Sequence, residues 1–379
     1  MISYCSVNFK SKSKMNNIEM KQEVPIYFYP YKKELSFSYI AEWHVRLLKE
    51  KYNIQEMHLT ALPSLASYNR IHAYVHPYFY PLTTNGEIKD TILKRLRKNI
   101  DTLIAVDVAD SNHLSHWAVE MANYATAFIV NSKWSYDAYV ESGVKIPVHV
   151  IYHGLEHEWF RPIREPIHPS IKFINEIKKK KSVFAILYFL WHSGWRKGAD
   201  LASQLIDCLE RNNINYLLII KKMDITDPSL KFFTKYKTFI VEGKLPRDWL
   251  IDLYDISDLV LLPSRGGSFE LSGLEALGRG IPTLMPNVGP WIEYTPPGLS
   301  KYLWVKTARM VTVLPGNEIH DGAGAEWDTS DACEKALNII NNYQEVRAKA
   351  QEGIQWIRER FEWDVIKKEL WRLHEKYFY

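Results

Sequence analysis

The sequence predicts an α/β protein in two domains, each a mainly parallel sheet with helices on both faces. The chain has 379 residues, against ~100–200 for an ordinary domain. Short apolar runs alternate with amphipathic stretches along most of its length, the pattern of strand–helix–strand units. Around residues 161–181 the alternation lapses into Pro162, Pro166 and Pro169 and then resumes. The junction is placed there, giving a tail at 1–22, a first domain at 23–165 and a second at 166–360.

In the first half, Ile26–Tyr29 is short, apolar and aromatic, and reads as a buried strand. Phe37, Ile40, Ala41, His44 and Leu48 recur at three- and four-residue spacing, one face of a helix. Further strands are expected at Ile71–Val75, Thr102–Val106, Phe128–Val130 and Val148–Tyr152, with helices at Leu114–Tyr124 and Ser132–Ser142. Lys178–Lys181 read as a solvated helix end or as a weak attraction to an acidic membrane surface. In the second half, strands are expected at Ser182–Trp191, Tyr216–Ile220, Thr238–Val241, Asp258–Leu262 and Pro282–Met285. Helices are expected at Ala199–Asn212, Pro246–Tyr254 and Gly273–Gly280.

Apolar residues at 46% and charged residues at 24% exclude a wholly disordered chain. Forty-eight basic residues against 44 acidic ones leave +4, too balanced for a dedicated nucleic-acid binder. Cys5, Cys208 and Cys333 lack metal or redox spacing, so a disulfide is not expected and a reducing cytoplasm is. Lys10, Lys12 and Lys14 precede no apolar stretch, so a secretory signal is not expected, and Met15 or Met20 could be alternative starts. The longest apolar run, Val183–Trp191, has nine residues, about half a membrane span. A soluble protein is the expectation. Tyr74, Tyr78, Phe79 and Tyr80 form core, or else stack on sugars or shelter a lipid carrier.

In an open parallel sheet, ligands bind beyond the carboxyl ends of the strands, where the connections switch direction. Two loops at such ends carry chemistry. In His192-Ser-Gly-Trp-Arg196-Lys197-Gly198, two cations precede a helix, against the macrodipole. They make sense facing an anion that the helix amides also face, such as a diphosphate, or else as ordinary surface cations. In Pro263-Ser-Arg265-Gly266-Gly267-Ser268-Phe269-Glu270-Leu271-Ser272-Gly-Leu-Glu275, paired glycines admit close backbone approach before a second helix. Ser272 and Glu275 also have capping-box spacing, with Ser272 at N-cap. Walker, Gly-x-Gly-x-x-Gly and Gly-x-Ser-x-Gly patterns are missing from these loops. The histidines at 72, 76, 113, 116, 149, 153 and 157 have no metal spacing.

Ser257-Asp258-Leu-Val-Leu-Leu-Pro263-Ser264, the glycine-rich loop, Phe269 and Leu274-Glu275-Ala-Leu-Gly278-Arg279-Gly280-Ile-Pro282 together resemble a known signature. It is the donor-site signature of GT-B glycosyltransferases, nearest to the retaining family 4. His153-Gly154 with Phe160-Arg161-Pro162, Arg196-Lys197-Gly198 with Asp200, and Phe361-Glu-Trp363-Asp364 agree with it. The resemblance covers roughly residues 100–370.

It implies two Rossmann-like domains facing across a cleft, with residues 361–379 crossing back to the first. It also implies sugar transfer from a nucleotide-diphosphate sugar to an acceptor hydroxyl, with retention, no metal and no tightly bound cofactor. Arg196 and Lys197 would stabilise the departing diphosphate, with the helix near Ser272 opposite. Glu275 would hold the ribose, Lys244 within Glu242–Pro246 would sit by the base, and Gly289 by the sugar and phosphate. The glutamate expected seven residues before Glu275 is Gly267, and Glu270 is the candidate replacement. His192 or Arg196 stands for an expected arginine. Asp107 stands at a strand end where a histidine is common, as an acceptor-side carboxylate or a turn residue. Partners would be the donor and a glycan, lipid-linked or protein-linked acceptor, with weak peripheral membrane contact. A GT-B epimerase or phosphorylase and a non-catalytic nucleotide-sugar binder are the alternatives.

Overall fold

The computed structural model describes residues 24–31, 36–62, 71–83, 98–190, 194–223 and 227–379. Six strands form the first sheet: β1 (Ile26–Tyr29), β2 (Gln55–His58), β3 (Ile71–Val75), β4 (Ile100–Val106), β5 (Ala127–Val130) and β6 (Val148–Val150). Their order is β2-β1-β3-β4-β5-β6, parallel throughout. Along β4 the residues alternate between two cores. Leu103 and Ala105 pack toward α2 (His116–Ala122) and α3 (Lys133–Glu141), while Ile104 and Val106 pack toward α1 (Ser36–Lys49). Both faces are therefore covered, which explains a run of apolar residues without polar interruption.

The second sheet holds β7 (Phe184–Leu190), β8 (Tyr216–Lys222), β9 (Thr238–Glu242), β10 (Leu259–Leu261), β11 (Thr283–Pro286) and β12 (Trp304–Val305). The order is β12-β11-β10-β7-β8-β9, again parallel. Its helices are α4 (Pro169–Lys181), α5 (Ala199–Arg211), α6 (Arg247–Asp255), α7 (Leu271–Gly278), α8 (Thr329–Asn341) and α9 (Tyr343–Phe361). Lys178–Lys181 occupy the last turn of α4, where the carbonyl end of the helix favours cations. Lys178 is held there by Asp258 at 2.7 Å and the Ile256 carbonyl at 2.8 Å.

The last helix, α10 (Trp363–Phe378), crosses back to the first domain. Leu155 and Trp363 anchor the crossing through backbone bonds, Leu155 N to Phe361 O and Trp363 N to Leu155 O. Trp363, Ile366, Leu370 and Leu373 then bury themselves against α1, with Trp43 and Trp363 stacked at 5.2 Å.

The structure corrects several expectations. Cys208 and Cys333 form a disulfide between α5 and α8, with their Cα atoms 6.0 Å apart. They lie 125 residues apart, so only the fold brings them together. Of the two readings of the aromatic cluster the structure bears out the core one for Tyr74, Tyr78 and Phe79, while Tyr80 is exposed. The edge strand β2 was missed because Gln-Glu-Met-His shows no apolar alternation. A hairpin of β13 (Thr307–Thr312) and β14 (Ala323–Trp327) was missed because β13 is largely exposed. No helix among the described residues is long and apolar enough to cross a membrane.

Candidate active site

Neighbouring strands β7 and β10 form the middle of the second sheet, and the chain leaves them toward opposite edges. The loops after these two strands therefore flank the crevice at the sheet's switch point. They carry Arg196-Lys197 and Arg265–Glu270 respectively. Arg265 N donates to Arg196 O at 2.8 Å, stitching the loops together. Gly198 has φ 66°, and a Cβ there would lie 2.0 Å from the Pro263 carbonyl oxygen. Only glycine permits that approach. The Arg265 guanidinium is buried, donates to Asp200 at 2.7 and 2.8 Å and to the Trp195 carbonyl, and pairs with Glu326 of the hairpin. One arginine thus fixes the first turn of α5, the cation loop and the hairpin.

Lys197 and Glu270 meet at the centre. Lys197 Nζ donates to both carboxylate oxygens of Glu270, at 2.5 Å to Oε2. Burial pushes the lysine pKa below its ordinary value, Glu270 pulls it back and Arg196 opposes that. Glu270 is the N-cap of α7, at φ 60°. The cation loop is therefore aimed at a helix N-terminus, where unpaired amides and the macrodipole favour negative charge. Arg196 Nη1 lies 3.6 Å from Glu270 Oε1, 3.4 Å from Asp110 Oδ1 and 3.2 Å from Gly266 O. Asp110 comes from the first domain, so this cluster spans the cleft. The paired glycines admit the approach. A Cβ on Gly266 would lie 2.3 Å from the Asp110 carbonyl oxygen, and one on Gly267 would lie 2.5 Å from Glu270 Oε1.

The capping box does not form. With Glu270 at N-cap, Ser272 is the second residue of α7 and makes no cap bond. Glu275 instead accepts from the Tyr254 hydroxyl at 2.6 Å. Burial pushes its carboxyl up to about 7, with Tyr254 opposing, the Glu156 carboxylate adding and Arg247 opposing. Capping is therefore not what places Glu275 here.

The Phe269 ring is not ligand-facing but core, packed on His153 at 5.2 Å, Tyr294 at 5.3 Å and Tyr152 at 6.0 Å. Ser268 Oγ accepts from Asn131 of the first domain at 2.9 Å. Leu271 packs against the cores of both domains. Gly289 (φ 136°) precedes a short turn at Pro290–Ile292, and Lys244 is exposed in the loop after β9. His192 lies outside the described residues.

Asp107 ends β4. Its two oxygens accept from Phe79 N and Val108 N, each at 2.8 Å, clamping the turn after β3. Burial nevertheless pushes its carboxyl up to about 7.

Sequence reasoning assigned no role to Asp110, Asn131, Tyr254, Arg265 or Glu293. Glu293 accepts from Lys133 N at 2.7 Å and Trp134 N at 2.8 Å, so a second-domain carboxylate sits at the N-terminus of α3 in the first. The hairpin loop adds a strap: Ser115 N donates to Ile319 O, Asn112 N to Ala323 O, and His113 pairs with Asp321 at 2.7 Å. The available signals were weak. Arg265 stood beside the glycine pair, and Asp110 stood three residues beyond Asp107. Among the described residues, no three His, Cys, Asp or Glu side chains gather to hold a metal ion.

Two parallel α/β domains, a crossing C-terminal helix and a charged switch-point cleft define the GT-B architecture. Comparisons with known proteins agree. The family described as "Family 4 Glycosyltransferase in conflict systems" matches residues 247–370. "Uncharacterized protein 356" of Sulfolobus islandicus rod-shaped virus 1 is 34% identical over 360 residues, covering 94% of this chain and 99% of that protein. The Anabaena protein HepE, solved with UDP-glucose, superposes with a TM-score of 0.62 at 15% identity, covering 93% of this chain and 100% of that one. Sucrose-phosphate synthase from Thermosynechococcus elongatus gives 0.64 at 12% identity, covering 93% and 99%. The chain belongs to one family with the rod-shaped virus protein and is a GT-B-fold glycosyltransferase resembling family 4.

Proposed function

We propose that the enzyme moves a sugar from a nucleotide-diphosphate sugar to an acceptor hydroxyl, with retention at the anomeric carbon and without a metal ion. The convergence of Arg196, Lys197 and the N-terminus of α7 on one point of the cleft carries this reading. As the bond from the anomeric carbon to the diphosphate oxygen breaks, the electron pair passes to the diphosphate. The acceptor oxygen bonds to the anomeric carbon on the same face, and the acceptor proton passes to the departing diphosphate oxygen. Fixed cations and amides stabilise that growing charge without reorganising. Glu270 balances the two cations. In the reaction it yields them to the diphosphate and turns to the donor sugar, the place left by Gly267.

Glu275 would accept hydrogen bonds from the ribose hydroxyls, with Tyr254 orienting it. Lys244 would sit by the base, and Gly289 and the 266–268 backbone by the sugar and phosphates. Asp107 would stand on the acceptor side, where its backbone bonds suit it to positioning the turn at residues 77–79. HepE, whose structure holds UDP-glucose, supports a nucleotide-sugar donor. A glycan, lipid-linked or protein-linked acceptor and a peripheral membrane contact complete the proposal.

Lys197→Ala tests it. Turnover should fall by ~10²–10³, the usual cost of one such donor, with the fold retained by circular dichroism. Unchanged turnover would remove the leaving-group argument.

A further inference from the structure

We infer that the hairpin forms the wall of a groove for an extended carbohydrate acceptor, with Trp195 as its stacking platform. The inference rests on the proposed sugar transfer and names the acceptor class it serves.

Trp195 immediately precedes the cation Arg196, yet its side chain is 45% exposed. Such a large apolar surface at the mouth of a charged cleft calls for an explanation. The ring is held rigidly: Arg265 stacks on it at 3.6 Å and its Nε1 donates to the Thr312 carbonyl of the hairpin at 3.3 Å. Trp195 is therefore displayed, not loosely exposed.

Two open surface depressions meet at this indole. One of about 320 Å³ lies between Trp195, Arg196 and the hairpin loop at Val313–Asn317. The other, about 430 Å³, is bordered by Trp195 and the Arg265 stacked on it, and by Arg309, Gln204 and Thr329. Each falls in the lower part of the ~300–1,000 Å³ range of small-ligand sites. The first shares Arg196 with the diphosphate cluster, so its occupant lies beside the reacting end of the donor. The second leads away and is rich in hydrogen-bonding side chains.

An aromatic face flanked by fixed polar groups suits a sugar chain, whose rings have an apolar C–H face and a polar rim. The indole supplies area at little entropic cost. Gln204, which accepts from Thr329 at 2.8 Å, keeps its amide donors for a sugar hydroxyl, and Arg309, paired with Glu326 through Nε, keeps its other guanidinium donors. An acyl or prenyl chain fits less well, because the second depression is bordered by Asp200, Glu326 and Asp328, carboxylates that hydrocarbon would desolvate.

The test uses the full chain with malto-, xylo- and chito-oligosaccharides from disaccharide to hexasaccharide. Saturation-transfer NMR reads glycan binding, and calorimetry with UDP and GDP reads the donor site. At least one series should bind, more tightly with length. Trp195→Ala should weaken it at least about tenfold, Trp195→Phe should keep most of it, and nucleotide affinity should not change in either. Gln204→Arg, on the exposed face of α5, should cut binding of the hexasaccharide and spare the disaccharide. Nucleotide binding without binding of any glycan, or glycan binding indifferent to Trp195, would overturn the groove while leaving sugar transfer intact. Loss of nucleotide binding by the wild-type protein would instead overturn the parent proposal. Preferential binding of detergent-dispersed polyprenyl phosphate would assign the groove to a lipid carrier and overturn the inference.

Discussion

At the carboxyl ends of the second sheet, Arg196, Lys197 and Glu270 form a largely buried cluster of ion pairs that Asp110 of the first domain joins. Around β1 and β3 of the first sheet, the contrast is an enclosed cluster of aromatic hydroxyl and imidazole groups. The Tyr27 hydroxyl joins His44 at 2.9 Å and His76 at 3.2 Å, and His153 lies close by. Burial holds His44 down at about 4, His153 at about 3 and His76 well below the usual imidazole value. One sheet end holds opposite charges paired across the two domains. The other forms an enclosed tyrosine–histidine wall in which Tyr27 joins one ring nitrogen each of His44 and His76. The charges of the ion-pair cluster are largely buried, so each is paired, Lys197 with Glu270 and Arg196 with Glu270 and Asp110, because burying them unpaired would cost too much.

Arg265→Ala should have the largest effect on that contrast. Asp200 and Glu326 would lose their shared partner, a cost toward the lower end of ~3–5 kcal/mol because both carboxylates keep some solvent. Thermal unfolding should show a clear drop, and hydrogen exchange should rise in the hairpin and not in α1. Equal exchange in both domains would mean that Arg265 does not organise the second domain's loops.

Gly198→Ala comes next. The new Cβ meets backbone, not a flexible side chain, at a positive φ, for about 1–3 kcal/mol of strain. Turnover should fall with stability, whereas an unperturbed enzyme would show that the loops need not touch.

The charge of Glu275 should be worth roughly a tenfold change in donor KM. Glu275→Gln keeps an acceptor for Tyr254 but replaces a charge-assisted bond by a neutral one. With its carboxyl at about 7, donor affinity should rise as pH climbs through that value. An unchanged KM with lowered stability would make Glu275 a packing residue.

The smallest effect is a contrast in pH dependence. The histidines have lowered folded-state values, so their contribution to stability is complete above about 6.5. It is lost as pH falls from there toward 4, because the unfolded chain takes up protons the folded one refuses. Asp107 and Glu275 are raised to about 7 and act oppositely: their contribution is complete below about 4 and is lost as pH rises through 7. Calorimetry of His44→Gln should show a flatter acid limb between pH 6.5 and 4 than the native chain shows. An identical limb would place the acid sensitivity elsewhere.

How much of this could be read in the sequence follows the same division. The buried strands were legible because a sheet covered on both faces writes itself as apolar runs. Arg196, Lys197 and the glycine pair were legible because cations before a helix and adjacent glycines lack a simple packing reason. What escaped depends on contacts distant in the chain. Glu293 at the start of α3, Asn131 against Ser268, the Cys208–Cys333 bridge and the exposed hairpin leave no local periodicity. The capping box failed for a different reason. Glu270 adopts a left-handed backbone and starts α7 two residues early, which spacing cannot foresee.

Calorimetry comparing a nucleoside, its monophosphate and its diphosphate addresses the switch-point anion site most directly. The diphosphate should bind far more tightly than the nucleoside, and Lys197→Ala should erase most of that gain while leaving nucleoside affinity alone. Equal affinities across the three, or a diphosphate gain that survives the loss of Lys197, would contradict a cleft built to hold the leaving group.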